Sequence, residues 1–324
     1  PAVSLPREEA LPKPALTSAQ RRAGFVRRSL ASRGLVETVS YSFMALKEAA
    51  YFGGVPESLK LLNPISADLD VMRPSILPNL LDAAWRNASR GISDCALYEI
   101  GPQYRDDSEE GQVLVAAGVI VGTARPKSWD NPARVVSVFD AKADALAALE
   151  AAGVSPETLQ LSAQAPAWYH PGRSGSFRQG PKLLANFGEI HPGVLLALDV
   201  KGPVAGFEVF LDAVPESRSK GKARKLLRLS PFQPVSRDFA FVVDAALPAE
   251  TLLKAARGVD KKLVSDVRLF DLYQGKGLPE GKKSLAIAVT LQPEEATLTD
   301  AEIEAFSAKL VAAVERATGG SLRK

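Results

Sequence analysis

The chain has 324 residues, of which 46% are hydrophobic and 24% charged, and it carries a net charge of +3. That is the composition of an ordinary globular protein of about two domains. The charge is too weak to imply nucleic acid by itself, no apolar run approaches the ~18 residues of a membrane span, and the first residues do not read as a signal peptide. Cys95 is the only cysteine and His170 and His191 the only histidines. These counts exclude disulfides within the chain and any Cys- or His-rich metal site, and they fit a reducing cytoplasm. The chain opens at Pro1 without an initiator methionine, as expected of a processed chain or a fragment.

Residues 1–16 carry Pro1, Pro6, Pro12 and Pro14 and read as a connector. Thr17-Ser18-Ala19-Gln20 is a capping box that opens a helix to about Ser32, stopped by Gly34. Its arginines, Arg21, Arg22, Arg27 and Arg28, suit a solvated basic face or a phosphate backbone. Strands are expected at Val36–Phe43, Leu59–Leu62, Ala96–Ile100, with a turn at Gly101-Pro102, and Val113–Val121. A helix from Leu77 to Asn87 carries Pro78 in its first turn, and a second, alanine-rich one covers Ala141–Ala152. Trp168–Ser174 is rich in turn residues and precedes two strands, Ser174–Arg178 and Leu183–Phe187. A short helix, Val194–Leu198, and a strand, Ala205–Leu211, close the region. Strands outnumber helices without alternating with them one for one, which predicts an α+β domain with a mostly antiparallel sheet over residues 17–215.

Residues 216–229 change character. Arg218, Lys220, Lys222, Arg224, Lys225 and Arg228 face a single acid, Glu216, and the segment reads as a basic linker. From 230 to 324 the expected order is a strand (Arg237–Val243), a helix from Pro248 to Arg257, a hairpin (Val264–Tyr273 and Lys283–Leu291), a helix opened by the capping box Thr299-Asp300-Ala301-Glu302, and a short edge strand near Leu322-Arg323. This βαββαβ order is ferredoxin-like. Alternation puts Asp271 and Tyr273 on one side of their strand and Phe270 and Leu272 on the other. On spacing alone an acid beside an aromatic is first plain strand surface; it also fits an acceptor and a stacking platform for a base.

Short motifs carry a resemblance across nearly the whole chain. Gly34–Phe43, Asn63-Pro64-Ile65-Ser66, Met72–Pro78, Leu97–Gly101, Tyr169–Arg173 and Gly188–Pro192 come first. Pro234–Asp238, Leu269–Gly275, Gly281–Leu285 and Thr297–Asp300 follow in order. Together they resemble the C-terminal half of the β subunit of bacterial phenylalanyl-tRNA synthetases. The resemblance implies a catalytically inert class II synthetase-like module, followed by a ferredoxin-fold anticodon-binding domain. It further implies an α2β2 enzyme that uses ATP and Mg2+ to load phenylalanine onto tRNA-Phe, with catalysis in the α subunit and no DNA or membrane partner. The family's magnesium-binding acids lie upstream of this stretch, so no cofactor, metal ligand or catalytic residue is expected within it.

Two observations bear on inertness. Tyr104-Arg105-Asp106-Asp107 only faintly echoes the arginine-bearing second class II motif, and Gly206–Leu211 stands where the third should be without a basic residue. Arg105 is therefore expected to be structural, and His170 and His191, each before a proline and without a paired nucleophile, to stabilise turns. In the anticodon domain the resemblance assigns Asp271, Tyr273 and Ser284 to the anticodon's first base, a guanine. Ala240, Ala286 and Ala288 are expected to leave room for it, and Arg237, Lys282 and Lys283 are candidate phosphate contacts. The rivals are a self-sufficient synthetase, expected to show ATP–pyrophosphate exchange alone, and a generic RNA binder with paired aromatics on its central strands.

Overall fold

The computed structural model describes residues 15–216, 226 and 229–323. The chain divides into two compact units, Pro1–Lys220 and Gly221–Lys324. The connector and the basic linker fall almost wholly outside the described residues.

The first unit runs α1 (Ser18–Ser32), β1 (Val36–Glu37), β2 (Phe43–Met44), α2 (Leu46–Ala49), β3 (Val71–Met72), α3 (Leu77–Ala88), β4 (Cys95–Tyr104) and β5 (Gln112–Val121). It continues with β6 (Thr123–Arg125), β7 (Arg134–Val135), α4 (Val138–Ala151), β8 (Gln160–Ser162), β9 (Tyr169–Gln179), β10 (Lys182–Ile190), α5 (Pro192–Ala197) and β11 (Val204–Phe210). Seven strands form one sheet in the order β1-β4-β5-β11-β10-β9-β8, antiparallel except for β1 beside β4. One face is packed by α1 and α4 through Val26, Leu30, Ala145 and Leu149 against Phe207 and Val209. The other is packed by α3 and α5 through Leu77, Leu81 and Leu195 against Val119 and Val204. The Thr17 capping box forms as its spacing predicts, and Gly34 follows α1 at φ +93. A second box, Ser137 with Asp140, starts α4 earlier than alanine content alone suggests.

Several boundaries differ from the sequence reading, most through contacts made elsewhere in the fold. Val36–Phe43 is not one strand: Thr38 N–H donates to Tyr98 O at 2.7 Å, and Ser40 Oγ to Glu99 at 2.6 Å. Leu59–Leu62 forms a 3-10 turn, Glu57–Leu59, and a single bridge from Lys60 to Val71. Gly101-Pro102 does not turn; β4 passes straight through it. Pro102 O accepts from Arg73 Nε at 2.8 Å, and a Cβ at Gly101 would meet Arg73 Nη2 at 2.5 Å. Glycine is there because the guanidinium crosses it. β9 begins already at Tyr169, through residues that read as a turn.

The second unit contains β12 (Val235–Asp244), α6 (Ala249–Arg257), β13 (Val264–Tyr273), β14 (Lys282–Leu291), α7 (Asp300–Thr318) and β15 (Ser321–Leu322). The sheet order is β13-β14-β12-β15. Phe241, Val243, Leu285, Ile287, Val289 and Leu291 form a core with Leu252 and Ala256 of α6 and with Phe306, Leu310 and Val314 of α7. Both helices therefore lie on one side of the sheet. The other side carries the alternate residues.

Candidate nucleic-acid interface

The uncovered side is built by register. Leu285 and Ile287 of β14 face the helices, so Ser284, Ala286 and Ala288 face away from them. Strand pairing then defines three rows across the sheet: Tyr273, Ser284 and Val242; Asp271, Ala286 and Ala240; Arg268, Ala288 and Asp238. The middle row pairs one carboxylate with two alanines, whose methyl groups leave space above the strands. Alternation alone would not have given this arrangement over the whole of β13. A register shift between Leu269 and Asp271 inserts Phe270 as an extra residue, and Phe270 is 51% exposed rather than buried opposite Asp271.

The structure brings Asp271, Tyr273 and Ser284 to adjacent positions on this side but does not present them alike. Asp271 is exposed, with no hydrogen bond or ion pair to any described residue. Ser284 is only 3% exposed, between Tyr273 and Val242. Tyr273 is 38% exposed and its hydroxyl donates to Lys276 O at 2.9 Å. A Cβ at Gly275 would lie 2.9 Å from that hydroxyl oxygen, so glycine lets the turn close beneath the ring. The ring is also occupied: Arg323 Cζ stands 5.5 Å from its centroid, a cation–π distance.

The candidate phosphate contacts separate. Lys282 lies on the uncovered side, its ammonium 2.6 Å from Asp244. Arg237 is exposed but pairs with Val289, in the alternation that faces the helices. Lys283 is 9% exposed and donates to the carbonyls of Ala245 and Leu247 at 2.8 and 2.6 Å. That ammonium tethers the loop after β12, which corrects the expectation for Lys283. Arg268 and Arg323 are the cations on the uncovered side that sequence reading missed. Neither was legible from alternation: Arg268 reaches this side only through the register shift at Phe270, and Arg323 depends on where the last strand pairs.

The first unit has a polar cluster of its own, on the α3 side of its sheet. Glu208 is 1% exposed and accepts from Ser75 at 2.6 Å, Gln103 at 3.1 Å, Trp168 at 3.2 Å and Tyr169 at 3.2 Å. Burial pushes the Glu208 carboxyl up against the pull of these donors, and the Tyr169 hydroxyl well above its ordinary value. Arg73 is fully buried and paired with Glu99 at 2.8 Å. Phosphates of ATP require free cations on such a face; it offers a buried carboxyl and a neutralised arginine, and these residues do not fit that ligand. Arg105 is exposed, its guanidinium 6.0 Å from the Phe210 ring. His170 Nδ1 accepts from Gly172 N–H and His191 Nδ1 from Gly193 N–H, each at 3.0 Å. Among the described residues no group of three or more His, Cys, Asp or Glu could hold a metal ion.

Comparison with known proteins agrees with this division. Residues 3–211 match the family model of the phenylalanyl tRNA synthetase beta chain CLM domain, and residues 230–323 that of the ferredoxin-fold anticodon binding domain. The phenylalanine–tRNA ligase beta subunit of Paramagnetospirillum magneticum is 58% identical over 100% of this chain. That of Rhodospirillum rubrum is 56% identical, also over 100%. In both cases the match spans 40% of the relative's length. Among solved structures, pyrrolysyl-tRNA synthetase from Desulfitobacterium hafniense is 18% identical, covering 62% of this chain and 68% of its own, with a TM-score of 0.47. The chain belongs to the phenylalanyl-tRNA synthetase β-chain family, of which it carries the CLM domain and the ferredoxin-fold anticodon-binding domain.

Proposed function

We propose that this chain is the tRNA-recognition and assembly portion of a cytoplasmic phenylalanine–tRNA ligase, and that its second unit reads a guanine at the first anticodon position of tRNA-Phe. The observation that carries the reading is Asp271. It is a carboxylate without an internal partner, set in a row of alanines beside Tyr273 and Ser284. A carboxylate accepts from guanine N1–H and N2–H together, a donor pair no other standard base offers, and Tyr273 supplies a stacking surface. Ser284 Oγ makes no hydrogen bond with a described residue, so it can donate or accept beside the base. Lys282 and Arg237 are candidate phosphate contacts, which strengthen binding without reading sequence.

Catalysis belongs to the α subunit of an α2β2 assembly, where ATP and Mg2+ act. The first unit supports that assembly as an inert class II-like module. Its filled and neutralised α3-side face supports this assignment, and the isolated chain is expected to show no ATP–pyrophosphate exchange. A generic RNA-binding role would use paired aromatics on the uncovered side. Phe239 and Phe241, with centroids 6.5 Å apart, instead share the alternation that faces the helices.

The test is Asp271→Ala in the assembled enzyme. Loss of a charge-assisted hydrogen-bond pair is expected to weaken tRNA affinity about tenfold or more, while phenylalanine-dependent ATP–pyrophosphate exchange stays intact. A parallel loss in both assays would sink the assignment.

A further inference from the structure

Arg323 is held at the uncovered face by backbone geometry. α7 ends at Gly319 with φ +65, and Gly320 lets the chain come alongside β12, since a Cβ there would meet Val242 O at 2.6 Å. Ser321 and Leu322 pair with Val242 and Phe241, and Arg323 N–H donates to Ala240 O at 2.7 Å. Leu322 shares the side of buried Phe241, so Arg323 takes the uncovered side. β15 and β13 are the two outer strands of this sheet. Its Cζ stands 5.5 Å from the Tyr273 ring, so the Arg323 and Tyr273 side chains lean toward each other over the two strands between them. Its guanidinium makes no ion pair with a described carboxylate and lies against the Tyr273 ring.

We propose that Arg323 is the second leaf of a base clamp, and that a base enters between its guanidinium and the Tyr273 ring. This rests on the reading that the uncovered face takes a base. Two groups that sandwich a planar ring must stand about 7 Å apart, twice an ordinary carbon contact distance. From 5.5 Å the guanidinium needs to withdraw by only about 1.5–2 Å, within reach of an unbranched side chain whose backbone stays in the sheet. Without RNA the guanidinium covers the aromatic face. With RNA it stacks on the far side of the base, where a delocalised, weakly hydrated cation is well suited to stack. Because every base has a π-face, the clamp adds affinity irrespective of base identity. Discrimination is left to the Asp271 carboxylate.

The experiment measures binding of the 324-residue chain to an RNA stem-loop carrying the tRNA-Phe anticodon, and to the same stem-loop with its first anticodon position abasic. Arg323→Ala is expected to weaken the intact stem-loop about threefold to tenfold and leave the abasic one unchanged. The guanine-over-adenine preference should stay the same in Arg323→Ala. Arg323→Lys should recover little, because an ammonium cannot stack as a plane. An equal loss on both stem-loops would make Arg323 a phosphate contact and overturn the clamp. So would no loss at all, or tighter binding, which would mean the guanidinium merely competes with the base. Failure of the underlying reading has a different signature: Asp271→Ala and Tyr273→Ala would leave affinity unchanged, or the intact chain would not bind the stem-loop.

Discussion

The two units each carry a carboxylate among aromatic and hydroxyl side chains on an antiparallel sheet, with opposite fates. Around Glu208 every group points inward and is answered: two hydroxyls, an amide and an indole converge on one buried carboxyl. Around Asp271 the same kinds of group lie on the side that α6 and α7 leave free, and the carboxylate has no described partner. Residue type does not separate these sites; satisfaction does. A buried polar group is costly unless it is paired, so a complete network belongs to the fold. An exposed acceptor set among small side chains and an aromatic ring has its bonding capacity left for a ligand.

The comparison breaks first at its buried side. Glu99→Ala would strand Arg73, which is fully buried, and is expected to destabilise the first unit by about 3 kcal/mol or more. Urea unfolding would show the loss in that unit's transition, with RNA affinity per folded molecule unchanged. A mild effect would mean that Arg73 Nη2, which has no hydrogen-bond partner among the described residues, sits near water, and that the pair is less enclosed than its burial implies.

On the uncovered side the effect moves from stability to binding. Tyr273→Ala is expected to lose about 1–3 kcal/mol of RNA affinity through stacking, while Tyr273→Phe keeps most of it and loses only the bond to Lys276 O. Titration of the stem-loop against both variants distinguishes a stacking platform from a hydroxyl contact; equal losses would favour the hydroxyl.

The smallest expected effect sharpens the buried cluster. A carboxyl whose folded-state pKa is raised holds its proton longer in the folded chain than in the unfolded one. Its contribution is therefore fully present below the unfolded value of about 4.3 and is lost as pH rises through the folded value. Glu208→Gln cannot titrate, so that decline should shrink in unfolding measured across pH. An unchanged slope would assign it to Asp144 or Glu48, the other carboxyls that burial raises.

Much of the second unit was legible because its signals are local. Hydrophobic alternation, the Thr299 capping box and the helical spacing of Ile303, Phe306, Leu310 and Val314 each need only near neighbours to act. Asp271 and Tyr273 were placed on one side by the same logic, although the bulge at Phe270 was invisible to it. The first unit was harder to read. Arg73 draws residues 40–41 out of a strand and holds β4 straight through Gly101-Pro102, and no window of sequence contains those partners together.

By itself, then, the sequence determined the two-unit plan, most helices and hairpins, the family, and the residue types offered to an RNA, since periodicity, capping and motif order are properties of the chain. Only the tertiary structure decided which of those residues remain available. It turned Lys283 into a loop tether, left Asp271 exposed, and laid Arg323 over Tyr273. Availability depends on pairing and burial, and both are set by strands far apart in sequence.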